Sequence, residues 1–165
     1  MALLKKGALV EDAFTDVSTA EQIPDSGALI VSVTQWEEQR DALVQRDDPL
    51  GIILRSDEKP SLIADDLQHF ALIALDFPAF GDGRAYSSAR LLRDRYGYEG
   101  ELRAVGDVLL EQLHFMNRVG FDAFAINSDD AIRDWEIAAA DIGVWYQPAS
   151  DGRVTAAQLR HQNNS

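Results

Sequence analysis

Apolar and polar positions along the chain fall into two alternating textures. From Ala28 onward, short runs rich in Ile, Leu, Val and Phe are separated by segments of helical period. The runs are ALIVSV (28–33), GIIL (51–54), ALIALDF (71–77), ELRAVG (101–106), DAFAI (122–126) and GVWYQ (143–147). Runs this short, bounded by turn residues, read as buried strands, and their alternation with helices predicts βαβ units and a mainly parallel sheet. The expected fold is a single α/β domain over residues 1–148, with about five or six strands built from consecutive βα units. An open doubly wound sheet is the first expectation; an incomplete (β/α) barrel with strands in sequential order is the alternative.

The helical segments carry their own signals. Thr34 with Glu37 has capping-box spacing for a helix carrying Trp36 and Leu43. Ala85, Ala89, Leu92 and Tyr96 recur at i, i+4, i+7 and i+11, and Leu109, Leu113, Met116 and Gly120 repeat that spacing, so each helix has one buried stripe. A last helix is expected from Asn127 or Ser128, with Asp129 and Asp130 favourable beside the positive end of its dipole. Residues 1–27 alternate short apolar pieces with Lys-Lys-Gly and Pro-Asp-Ser-Gly, which suits an N-terminal hairpin and loop at the edge of the domain. After Pro148 the apolar content is too low to offset ordering, so residues 149–165 read as a flexible tail.

Charge and composition narrow the function classes. The chain has 165 residues, 15 basic against 28 acidic, for a formal net charge of −13. Nucleic acid is therefore an unfavourable partner. With no cysteine, thiolate catalysis, disulfides and Cys-ligated zinc or iron–sulfur clusters are excluded within the chain. His69, His114 and His161 share no ligand spacing, so no metal is expected, and no cofactor motif is present. Neither a cleavable leader nor an apolar stretch of about 18 residues is seen, which makes the expected location cytoplasmic, with no membrane contact.

In a parallel sheet, ligands bind outside the carboxyl ends of the strands. The candidates for such a strand-end crevice are Arg55, Asp76, Gly106, Asp107 and Asn127. Helix capping is the ordinary role of Asp and Asn there. The densest stretch is DFPAFGDGRAYSSARLLRDR, residues 76–95, where glycines, hydroxyls and arginines gather near a helix start. Exposed N–H groups and a guanidinium fork suit a small oxyanion, which gives Asp82, Gly83, Arg84, Ser87 and Arg103 as the candidate oxyanion-binding set. Arg90 and Arg93 read instead as a solvated helix face paired with Asp94, Glu99 or Glu101.

Residues 71–126, ALIALDFPAFGDGRAYSSARLLRDRYGYEGELRAVGDVLLEQLHFMNRVGFDAFAI, resemble an uncharacterised family of small bacterial proteins. Its members are described as probable oxidoreductases involved in sulfite reduction, a domain of unknown function encoded near assimilatory sulfite reductase. The N-terminal text and ALIVSVTQW are similar too. The resemblance falls on Phe77, Pro78, Asp82, Gly83, Arg84, Ser87, Arg90, Leu91, Leu92, Arg93, Gly97, Gly100, Leu102, Arg103, Gly106, Asp107, Gln112, Gly120, Phe121, Asp122 and Phe124. It assigns no catalytic residue and leaves open whether the chain is an enzyme.

Together these features lead to the expectation of an accessory protein of assimilatory sulfite reduction. It would bind sulfite reductase or its redox partner, and with them a small oxyanion. The alternative is a stand-alone enzyme acting on a small phosphorylated or carboxylated metabolite in the strand-end crevice, with Asp76 or Asp107 as general base and Arg84 as anion clamp. A homodimer joined through bulky residues such as Trp145 and Tyr146 is a third arrangement that the sequence leaves open.

Overall fold

In the computed structural model, residues 2–6, 8–79, 81–126 and 133 are described. They contain eight strands: β1 Ala2–Lys5, β2 Ala8–Val10, β3 Thr15–Asp16, β4 Leu29–Ser32, β5 Leu50–Leu54, β6 Leu72–Phe77, β7 Glu101–Gly106 and β8 Ala123–Ile126. Three α-helices lie between them, α1 Val33–Val44, α2 Arg84–Arg90 and α3 Leu110–Val119, and α2 continues into a π turn over Leu91–Arg95.

All eight strands form one sheet in the order β2-β1-β8-β7-β6-β5-β4-β3, curled into a half-barrel. Strands β3 to β8 are parallel and sequential, while β1 runs antiparallel to both β8 and β2. This corrects the expected fold in strand count and winding. A doubly wound sheet of five or six strands needs a reversal of strand order, so that right-handed crossovers place helices on both faces. Here every crossover advances in one direction, and the helices share one face.

The N-terminal segment departs from expectation in part. The β1–β2 hairpin does form one edge of the sheet, but β1 also pairs with β8, with Leu4 fully buried and Leu3 nearly so, and residues 15–16 of the same N-terminal segment cross to the opposite edge. At the far edge, β3 pairs with β4 through only two exposed polar residues, too short a piece to show an alternating pattern.

Side-chain alternation divides the core. Val31, Ile52, Leu54, Ile73, Leu75, Leu102, Ala104 and Phe124 face the helices, where they meet Trp36, Ala85, Ala89, Leu92, Leu113 and Met116 in the main cluster. The opposite face carries a small cluster of Ile30, Ile53, Leu72 and Ala74, with Phe14 and Val105 against it. The cap of α1 lies two residues before the expected one. Ser32 accepts from Gln35 N at 3.1 Å, and the Gln35 side-chain oxygen accepts from Ser32 N at 2.9 Å. The Gln35 amide nitrogen also donates to the Val17 and Ala20 carbonyls, both at 2.9 Å, which ties α1 to the N-terminal segment and favours this box over Thr34 and Glu37.

The expected strand 143–147, the expected helix from Asn127 or Ser128, the tail 149–165 and the residues Trp145 and Tyr146 lie outside the described residues. Among the described residues, no helix is long and apolar enough to cross a membrane.

Candidate functional site

The carboxyl ends of the parallel strands bring several of the predicted residues together in two groups. In the first, Arg55 follows β5 and its Nη1 lies 3.7 Å from Oδ2 of Asp76 on the neighbouring β6. Gly106 ends β7 directly beside them. Its φ is +89°, and a Cβ there would stand 2.8 Å from Asp76 Oδ1 and closer still to the Phe77 carbonyl oxygen, so only glycine fits. Asp107 is anchored by its backbone N–H, which donates to the Phe77 carbonyl at 2.7 Å. Asn127 lies outside the described residues.

The second group opens α2. Asp82 accepts from the Arg84 N–H at 3.1 Å and holds its guanidinium in a fork, Nε at 2.9 Å and Nη2 at 2.6 Å. Arg84 Nη2 also donates to Ser56 Oγ at 3.0 Å, tying the start of α2 to the loop after β5. Hydrogen bonds from Arg84 hold the Asp82 carboxyl far below the usual carboxylate range, and Asp82 in turn raises the guanidinium, so both are charged. Gly83 is the N-cap of α2 and makes no side-chain bond.

Between that loop and α2 lies an open cleft of about 550 Å³. One wall is the segment Ser56–Ser61. The other is a face of α2 and its π turn, with Arg84, Ser87, Ser88, Leu91, Arg95 and Tyr96. Asp82 and Gly83 shape its corner through Arg84, and Ser87 lines it directly. Sequence reasoning found the helical wall but singled out nothing from Glu58 to Ser61. The spacing 84, 87, 88, 91 and 95 is itself a legible helix face, whereas Asp57-Glu58-Lys59-Pro60 reads only as a turn.

Arg103 stands apart from both groups. Its strand neighbours Leu102 and Ala104 face the helices, so its side chain lies on the opposite face, 3% exposed, beside the smaller cluster. Arg103 Nη1 pairs with Asp12 at 2.7 Å, its Nε donates to Glu101 at 2.8 Å, and its guanidinium sits over the Phe14 ring. Lys5 Nζ meets Glu101 at 2.5 Å from the other side. This network pins the N-terminal segment to the sheet.

Two further arginines divide. Arg90 pairs with Asp94 on the exposed helix face at 3.1 Å, in keeping with its sequence pattern. Arg93 does not: its Nε donates to the Gly120 carbonyl at 3.0 Å and its Nη1 to the Tyr98 and Gly100 carbonyls at 2.6 and 2.9 Å. It also meets Asp122 Oδ2 at 3.4 Å. Arg93 therefore holds the π turn against the end of α3 and the loop before β7, which fixes the wall carrying Leu91, Arg95 and Tyr96. Burial pushes the nearby Asp122 carboxyl upward, against the opposing pull of the Leu102 N–H and Arg93.

Among the described residues, no group of three or more His, Asp or Glu side chains is placed to hold a metal ion. No curated protein and no solved structure matches the chain. Residues 51–157 match the family described as bacterial protein of unknown function, DUF934. That match takes in well over half of the 165 residues, both walls of the cleft and the strands β6 to β8, and the chain accordingly belongs to this bacterial family.

Proposed function

We propose that this protein is an accessory component of assimilatory sulfite reduction that docks, across the open cleft, on sulfite reductase or on the redox protein that feeds it. The observation that carries this is apolar surface left exposed around the cleft: Leu91 lines it and is 40% exposed, and Leu62, which follows the Ser56–Ser61 wall in sequence without lining the cleft, is 51% exposed. Large apolar side chains left exposed beside an open cleft suit a protein partner better than a buried reaction. The resemblance of residues 71–126 to proteins described in connection with sulfite reduction supplies the partner class. A net charge of −13 supports fast, charge-steered encounter with a partner that presents a basic patch. Absence of cysteine favours an accessory role over carrying the electrons through a cluster.

The test is affinity capture of the tagged protein from cells grown on sulfate as sole sulfur source, compared with cells supplied with cysteine, followed by mass spectrometry. Specific retention of sulfite reductase subunits or their redox protein from the sulfate-grown cells is the expected result. Retention of neither would overturn the assignment and direct attention to a stand-alone enzyme of the strand-end crevice.

A further inference from the structure

We propose that the protein self-associates through β2, which pairs antiparallel with β2 of a second copy to form a two-fold dimer. The contact uses neither the cleft residues nor Trp145 and Tyr146.

The two edges of the sheet are unlike. At one, β3 contributes only Thr15 and Asp16, both exposed and polar, a short charged strand of the kind that blunts an edge against further pairing. At the other, β2 is Ala8-Leu9-Val10, exposed at every position and with neither a charge nor a proline within it. Leu9 is 48% and Val10 39% exposed.

Hairpin geometry decides which backbone groups of β2 are free. Lys5 pairs with Ala8, Leu4 with Leu9 and Leu3 with Val10, so two residues join the strands. The pair that closes a two-residue hairpin exchanges hydrogen bonds, and bonded and non-bonded pairs then alternate. Ala8 and Val10 therefore turn their N–H and C=O groups toward β1, while Leu9 turns both of its groups outward. A single outward residue flanked by inward ones pairs with its own copy. With Leu9 opposite Leu9 of the second copy, each N–H meets the other's carbonyl across a two-fold axis, and Ala8 lies opposite Val10.

Charge selects a second copy as the occupant. Lys5 and Lys6 precede β2, and Glu11 and Asp12 follow it. Antiparallel pairing about Leu9 lays the acidic end of each strand beside the lysine end of the other. Lys5 and Asp12 are already held, by Glu101 and Arg103. Lys6 and Glu11 are exposed and have no ion pair among the described residues, so they are left to meet across the axis. Pairing of β2 with β3 of another copy would build filaments, but β3 presents no apolar side chain, and assembly closes at the dimer.

The net charge of −13 on each copy opposes association, and at physiological salt that repulsion is screened beyond roughly 8 Å. So short an edge makes a smaller interface than that of a permanent dimer, and the association is weak and reversible.

Sedimentation velocity of the full chain at physiological ionic strength, from about 10 µM to about 1 mM, tests this. Reversible monomer–dimer exchange, with the dimer as the largest species, is expected. Leu9→Pro removes the outward N–H and leaves the bonds of the hairpin in place, so it should weaken the dimer at least about tenfold while circular dichroism shows the fold retained. Lys6→Glu and Glu11→Lys each set like charges across the axis and should each weaken the dimer. An equal mixture of these two variants should recover it, since a mixed dimer has opposite charges at both places. This recovery reads the contact even where the proline disturbs the hairpin. A monomer at every concentration, species growing beyond the dimer, an undiminished dimer in Leu9→Pro, or a mixture no tighter than either charge variant alone would overturn the proposal. Each of these results is independent of whether sulfite reductase is captured.

Discussion

Arg93 runs through the space that any side chain at position 120 would need. A Cβ on Gly120 would lie 2.6 Å from Arg93 Cγ, and Arg93 Nε donates to the Gly120 carbonyl at 3.0 Å. Gly120 also closes α3 with φ at +115°, a conformation L side chains rarely adopt. Gly120→Ala therefore adds backbone strain and displaces the arginine that fixes the π turn. A stability loss of about 2–4 kcal/mol is expected in urea unfolding. A loss below about 0.5 kcal/mol, the usual range for surface changes, would show that the two residues do not constrain each other.

That relationship marks where the sequence stops being readable. The apolar runs at 28–33, 51–54, 71–77, 101–106 and 122–126 coincide with β4 to β8, because a strand buried on both faces needs a short continuous apolar run. Their order in the sheet was not legible, since the same runs serve a doubly wound or a singly wound sheet and only tertiary packing distinguishes them. Arg93 could not be identified because most of its partners are backbone carbonyls, which leave no side-chain signature. Ser32 and Thr34 both have capping-box spacing, and contacts of Gln35 with a segment eighteen residues upstream decide between them. For the cleft, helical spacing exposed one wall and a featureless turn concealed the other.

Asp66 joins two helical segments through the Trp36 indole. Trp36 is 2% exposed and its Nε1–H donates to Asp66 Oδ2 at 3.0 Å, while Arg40 binds the same carboxylate. Hydrogen bonding from Arg40, joined by Trp36, lowers the Asp66 carboxyl below its ordinary value. A depressed carboxyl stabilises the folded state above the unfolded value of about 3.9, and this is lost as pH falls through the folded value. The stability difference between the wild type and Asp66→Asn should thus be present at pH 7 and shrink below about pH 4. Asp66→Ala, which leaves the buried indole N–H without its acceptor, should cost about 1–3 kcal/mol at pH 7. A difference that stays constant from pH 7 to pH 3 would contradict the pairing.

Arg103 serves the N-terminal segment. With Glu101 and Asp12 bound to a side chain only 3% exposed, Arg103→Met removes one partner of a buried ion pair and leaves the carboxylates behind. Because Lys5 still pairs with Glu101 and Asp12 is exposed, a loss of about 1–3 kcal/mol is expected. Amide exchange should rise selectively in residues 8–17, the segment that Asp12 and Phe14 anchor, while the segment Ser56–Ser61 across the sheet keeps its protection. Uniform loss of protection at both places would show that Arg103 supports the fold as a whole and not that segment in particular.

The docking face can be tested with purified components. Immobilised sulfite reductase and the redox protein that feeds it are each titrated with the wild-type chain and with a Leu62→Asp, Leu91→Asp double variant, followed by biolayer interferometry. Both leucines are exposed, so the variant should fold as the wild type does. Saturable binding of the wild type to one of the two, weakened at least about tenfold in the variant, is the predicted result, since burying two uncompensated carboxylates in an interface costs several kcal/mol. Undiminished binding of the variant, or no binding of the wild type to either protein, would contradict docking across the cleft.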